Sequence, residues 1–144
     1  MLQINFPEHN FRIKKEKDRH AIFDEVRRRW VALTPEEWVR QNFLQYLIQV
    51  KNYPASLISV EKIIRVGDLS KRYDIVVYKE NMPWLIVECK ESNTPVDVKV
   101  IEQVIRYNMA LAIKYFVITN GNENFCYEIS GNSFRELDAL PQLQ

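Results

Sequence analysis

Three residues stand where their side chains could share one piece of chemistry: Asp74, Glu88 and Lys90. The run Trp84-Leu85-Ile86-Val87-Glu88-Cys89-Lys90 reads as a strand whose first half is apolar on both faces, so it belongs inside a sheet. Side chains alternate along a strand, which sets Trp84, Ile86, Glu88 and Lys90 on one face. A hairpin centred on Asn81 sets Asp74 opposite Glu88, Val76 opposite Ile86 and Tyr78 opposite Trp84. Facing carboxylates have Cβ atoms about 5 Å apart and repel. A hard divalent ion with oxygen ligands, such as magnesium, removes that conflict, and Lys90 then stands beside the ion without binding it. The inference depends on register, because a one-residue slip moves every side chain to the other face. The plainer reading of Glu88 and Lys90 is a salt bridge on a solvated face. Asp74 and the helix that follows tip the balance toward a metal site.

That helix is expected from about Asp97 to Ala112, with Val100, Ile101, Val104 and Leu111 on its core side. Gln103 and Tyr107 lie four residues apart and share a face, with Arg106 adjacent. Packed over the carboxylate end of the sheet, this amide, phenol and guanidinium could meet a phosphate. The bland alternative is a helix surface with one aromatic packed on the sheet.

Other elements must hold these groups in place. Thr34 is a helix N-cap, Pro35 suits the first helical position and Glu37 completes a capping box. Leu33 and Trp38 fit a hydrophobic staple, and Val39, Phe43, Tyr46, Leu47 and Val50 recur as one apolar stripe until Tyr53-Pro54. Trp38, Phe43 and Tyr46 are expected in the core. Strands follow over 57–66, 73–78 and 84–90, then after the second helix over 115–119 and 125–129 across the turn signal Asn120-Gly121, and a short helix closes 133–140. Residues 1–33 are charge-dense. Arg12, Lys14, Lys15, Lys17 and Arg19 crowd one stretch and Arg27-Arg28-Arg29 another, with short strands at 11–14 and 30–33 or a helix over 22–30. These cations are either a phosphate-facing arm or a solvated face balanced by Glu16, Asp18, Asp24 and Glu25, and the second reading is preferred. The element order is that of an α/β domain with a mixed central sheet flanked by helices, over 34–144, preceded by a charged N-terminal extension over 1–33.

Composition removes several alternatives. The chain has 144 residues, 20 Lys+Arg against 19 Asp+Glu and a formal net charge of +1, so it is no polycation binding nucleic acid by bulk charge. Its apolar runs are far shorter than the ~20 residues of a membrane span, and the first residues lack the basic and apolar regions of a signal peptide. A cytoplasmic setting, with Cys89 and Cys126 as free core thiols, is expected. Two histidines cannot build a Cys/His zinc site, and there is no phosphate-binding loop of the G-x-x-x-x-G-K-[ST] kind.

The ordered set Asp74, Glu88-Cys89-Lys90 and Gln103-x-x-x-Tyr107 resembles the PD-(D/E)xK nuclease superfamily with its Q-x-x-x-Y motif. With Thr34-Pro35-Glu36-Glu37-x-x-Arg40-Gln41, Arg72-Tyr73-Asp74-Ile75-Val76-Val77-Tyr78 and Thr119-Asn120-Gly121, it is similar to the N-terminal nuclease domain of type I restriction enzyme R subunits, over about residues 34–129. Tyr73 stands where the superfamily name has proline, and the motor region of an R subunit is not represented. The resemblance implies a restriction-endonuclease-like fold, a prokaryotic cytoplasmic protein and magnesium-dependent hydrolysis of DNA, with manganese as substitute. It implies Asp74, Glu88 and the Cys89 carbonyl as metal ligands and Lys90 as the group that orients water and stabilises phosphate charge. Gln103, Tyr107 and Arg106 would support the site or contact nucleic acid, and Glu37 is either a further site acid or only a helix cap. Methyltransferase, specificity or motor subunits would be partners, and a homodimer is one route to cutting both strands. Two other functions fit the same residues: a catalytically weak assembly module of a restriction-modification or repair system, and a nuclease for RNA or for branched or single-stranded DNA.

Overall fold

The computed structural model describes residues 1–143. Three short strands come first: β1 (Ile13–Glu16), β2 (Arg19–Asp24) and β3 (Arg29–Ala32), paired in order as an antiparallel sheet. Helix α1 (Pro35–Gln45) follows and widens into a π-helical stretch over Tyr46–Val50. Then come β4 (Ile58–Val66), β5 (Leu69–Lys79), β6 (Met82–Cys89), helix α2 (Val98–Asn108), β7 (Tyr115–Thr119), β8 (Asn124–Ser130) and β9 (Ser133–Leu137). These six strands form one sheet in sequence order. Only β6 and β7 run parallel, joined by the α2 crossover, so the sheet is mixed.

The two helices cover opposite faces. Val39, Phe43 and Leu44 of α1 pack with Leu85, Val87, Cys89 and Val117, whereas Ile101 and Ile105 of α2 pack with Ile86, Phe116 and Ile118. The alternation along β6 and β7 sorts their residues between these two cores. Tyr73 and Asn108 join β5 to α2 through a hydrogen bond from the phenol to the amide oxygen. Cys89 and Cys126 are buried free thiols. Among the described residues, no helix is long and apolar enough to cross a membrane.

The expected β5–β6 register holds from Ile75↔Val87 through Val77↔Leu85. It then shifts, so that Tyr78 faces Pro83 rather than Trp84. Trp84 is the extra residue of a bulge and turns into the α1-side core, away from the face of Ile86. A second irregularity lies at Asp74. Tyr73 packs on the α2 side and Ile75 on the α1 side, where strict alternation would keep them together. Across from Asp74, Glu61 on β4 has φ 53 and interrupts the ladder between Val60↔Ile75 and Lys62↔Tyr73.

Three local expectations are corrected. The 133–140 segment is strand β9, because Gly131-Asn132 is a two-residue hairpin turn with Gly131 at φ 59 and Ser130 facing Ser133. Trp38 is 42% exposed rather than core, its ring edge-on to Phe11 at 5.1 Å. Val100 is 50% exposed, and the inward face of α2 is carried by Ile101 and Ile105.

Candidate active site

Helix α1 starts as its sequence dictates. Thr34 is extended and its hydroxyl accepts the Glu37 N–H at 3.0 Å, with Pro35 in the first turn. The reciprocal half of the capping box is absent. The Glu37 side chain turns inward instead, accepting from Arg40 Nε at 2.9 Å and Nη2 at 2.8 Å, from Arg27 Nη2 at 2.9 Å and from Gln41 Nε2 at 3.1 Å. Arg40 continues to Asp74 Oδ1 at 2.7 Å. Arg27 continues to Asp24 Oδ2 at 2.6 Å and Glu61 Oε2 at 3.0 Å, and Gln41 also donates to Asp24 at 2.8 Å. One network thus ties the N-terminal sheet, α1, β4 and β5 together, and Glu37, Arg40, Gln41 and Asp24 in it are buried.

At the far end of this network the β5–β6 ladder gives way to side chains. The Cys89 N–H donates to Asp74 Oδ2 at 2.7 Å, and the Asp74 N–H donates to Glu88 Oε1 at 3.4 Å. The two acids therefore meet next to the end of the ladder. They do so through main-chain donors, with the Asp74 carboxylate drawn toward α1, rather than as a simple facing pair. Lys90 is exposed just beyond the end of β6, where its N–H donates to Thr119 O at 2.8 Å. The Thr119-Asn120-Gly121 turn fixes the segment that follows. Asn120 is buried, and its Nδ2 donates to Thr94 O at 2.9 Å while its Oδ1 accepts the N–H groups of Asn122 and Glu123.

Charge is unbalanced here. Arg27, Arg40, Lys71 and Lys90 stand against the carboxylates of Asp24, Glu36, Glu37, Glu61, Asp74 and Glu88. The consequences differ along the network. Burial would raise the carboxyl of Asp24, but hydrogen bonds from the Arg27 main chain and guanidinium hold it below the ordinary value. Arg40 does the same for Glu37. Toward Lys90 the acids go the other way. Burial pushes Glu88 up to about 7, with Asp74 adding to the rise. Burial also raises Asp74 despite the Cys89 N–H and Arg40, and raises Glu36, with Asp74 contributing. Lys90 pulls down all three. The three carboxylates at this end of the network are short of positive charge.

A divalent cation would supply it. Among the described residues, no three His, Cys, Asp or Glu side chains are gathered into a ready-made cage. A magnesium-type ion does not need one, since it keeps several waters and takes one or two carboxylates. Two carboxylates and a main-chain carbonyl are the hard oxygen donors such an ion takes, so the chemistry of the donor set fits. Asp74, Glu88 and the Cys89 carbonyl are the groups that would hold it.

The helix residues fare differently. Gln103 and Arg106 are exposed, and the Arg106 guanidinium lies 5.8 Å over the Phe134 ring on β9 rather than at the acids. Tyr107 sits in α2, but its side chain lies outside the described residues. Arg40, Gln41, Asp24, Arg27, Glu61 and Glu36 were not singled out as site residues from the sequence. Arg40 and Gln41 carried a usable signal, being three and four residues after Glu37 on one helical face.

A stability measurement checks the charge imbalance. Folded Glu88 keeps its proton to about pH 7, while its ordinary value is 4.5, so the folded chain holds an extra proton between those limits. Its contribution to metal-free stability therefore falls as pH rises from about 4.5 to about 7 and is flat above. Glu88→Gln should remove that decline and stabilise the chelator-treated protein at pH 8 by about 2–3 kcal/mol. Denaturation of both proteins across this range reads the difference. Parallel curves would mean that Glu88 is not the strained acid.

Residues 35–141 match the model of the family described as type I restriction enzyme R protein N terminus. No curated protein sequence matches the chain. Among solved structures, the chain is similar to a protein from Anabaena variabilis described as a "putative nuclease" belonging to DUF820. The TM-score is 0.51 at 14% identity, covering 91% of this chain and 85% of that one. At that identity the likeness is one of fold.

Proposed function

This chain belongs to the family of type I restriction enzyme R protein N termini, and on that footing we propose that it is a magnesium-dependent endonuclease domain hydrolysing DNA phosphodiester bonds. One observation carries the reading: Asp74 and Glu88 sit side by side with raised proton affinity next to Lys90. When bound, a divalent ion there supplies a Lewis acid that lowers the pKa of a bound water and withdraws charge from the phosphate. The chain's own groups do the rest. Asp74 and Glu88 offer oxygen donors, and Arg40 fixes the Asp74 carboxylate through Oδ1, leaving it one orientation. The Lys90 ammonium gives a fixed positive charge where the phosphate gains negative charge, and it orients the attacking water. Gln103 and Tyr107, one helix away, are proposed as contacts to the nucleic acid.

The test is nicking of supercoiled plasmid by the purified chain with magnesium, with manganese and with chelator, beside Asp74→Asn. Cutting that needs the metal and is lost in Asp74→Asn supports the reading. Metal-independent cutting, equal in both proteins, defeats it. A second reading has its own observation. One oxygen of Asp74 is already held by a guanidinium, which suits a nuclease fold kept as an assembly module. No cutting with any divalent metal, together with stable association with a methyltransferase, specificity or motor subunit, would favour that module.

A further inference from the structure

The network between Asp24 and α1 covers the Ile22 and Asp24 end of one face of the three-stranded N-terminal sheet, while Ile13 at its edge stays 45% exposed. Register decides which residues lie where. Ile13, Ile22 and Val31 face each other across the strands, and Ile22 is fully buried. The opposite face carries Phe23 beside Trp30, with ring centroids 5.5 Å apart, and the cations Lys14 and Arg19. Arg12 joins them: the Phe23 N–H donates to its carbonyl at 2.9 Å, and its guanidinium lies 4.5 Å over the Phe23 ring and 5.4 Å from the Trp30 ring. The Lys14 ammonium lies 4.4 Å over Trp30. The one acid of this face is Glu16, paired with Lys14 at 2.9 Å.

Arg12, Lys14 and Arg19 are exposed, although aromatic rings support two of them. In a chain whose net charge is only +1, this is a local surplus raised on a stiff apolar floor. Such a face fits an extended polyanion. The ring faces are already covered by cations, so they offer no bare surface on which an unpaired base could stack. That favours the backbone of a duplex over a single strand. The sheet is also fixed relative to the candidate site, because Arg27 spans from Asp24 to Glu37 and Arg40 spans from Glu37 to Asp74.

We infer that the outer face of the N-terminal sheet, through Arg12, Lys14 and Arg19, binds the phosphate backbone of duplex DNA without reading sequence. This rests on the nucleic-acid reading of the site and adds a second, non-catalytic contact to it. The test uses binding without cleavage: fluorescence anisotropy of a labelled 20-base-pair duplex with the full chain, in chelator, over a range of salt. Lys14→Gln/Arg19→Gln is compared with Arg65→Gln/Lys114→Gln, which removes the same charge from exposed positions outside this sheet. The first pair should bind at least tenfold more weakly, with the slope of log affinity against log salt reduced by about 2, at roughly 0.9 per phosphate contact. The second pair should stay within threefold of the parent. Circular dichroism of each variant checks the fold. Equal loss in both pairs, no loss in the first, or tighter binding to single strands or to an acidic peptide than to duplex DNA overturns the inference. Because no metal is present, loss of cleavage and loss of this contact are read separately. An active nuclease whose Lys14→Gln/Arg19→Gln form binds normally would sink the contact and leave the site standing.

Discussion

Lys90→Ala should cut plasmid about a thousandfold more slowly than the parent at saturating magnesium, while melting at the same temperature within a few degrees. The size follows from the proposed task. A preorganised charge beside a phosphate contributes as much as one strong donor in an anion-stabilising site, and a neutral methyl contributes nothing. The fold should survive because the Lys90 side chain is exposed and its structural bond is made by the main chain, to Thr119 O. One secondary effect must be separated. Lys90 lowers the proton affinity of Glu88, Asp74 and Glu36, so its removal raises all three and weakens their hold on a cation near neutral pH. Measuring at pH 8.5 with a magnesium titration removes that contribution. Lys90→Arg restores the charge but with a planar, more spread cation, so it should recover part of the rate. Identical rates in parent and Lys90→Ala would assign the cutting to a contaminant and withdraw the catalytic role.

Arg40→Ala should cost about 3–5 kcal/mol of folding stability at pH 7, the price of leaving buried charge without its partner. Arg40 is 6% exposed and holds both oxygens of Glu37 and one of Asp74. Without it, Glu37 keeps only Arg27 and Gln41, and Asp74 keeps only the Cys89 N–H. The loss should shrink in acid. Glu37 has a folded value below its ordinary 4.5, so its contribution is present above that value and fades as pH falls through the lowered one. Urea denaturation at pH 7 and at a pH well below 4 tests both statements. A loss that is the same at both would point to packing rather than charge. Arg40→Lys keeps the sign of the charge but not the fork that grips Glu37 and Asp74 together, and it should recover less than half.

Some of this arrangement could be read from residue order and some could not. The hairpin that brings Asp74 to Glu88 was legible because the second half of β6, from Leu85 to Val87, is apolar and buried on both faces, which holds its register. The start of α1 was legible because capping is local chemistry. Even so, the same rule misassigned the Glu37 carboxylate, which two guanidinium groups hold more strongly than one main-chain N–H would. The bulge at Trp84 escaped because the indole is settled by packing against Tyr53 and Tyr115, which come from distant parts of the chain. Asp24 and Arg27 looked like ordinary surface charge. Their burial follows from a contact ten residues further on and another on β4, and no local pattern encodes it. β9 was missed for a different reason. Five residues of mixed polarity fit either periodicity, and only the Gly131-Asn132 turn decided the matter.

The link from Arg27 to Glu37 has a consequence for where one unit ends and another begins. The family match starts at residue 35, yet the guanidinium that neutralises Glu37 lies upstream of that boundary. Cutting the chain there would strip a counter-ion from the interior rather than remove an appendage. The similarity boundary and the electrostatic boundary do not coincide, and a grafted or shuffled version of this domain would have to carry its leading strands along to remain whole.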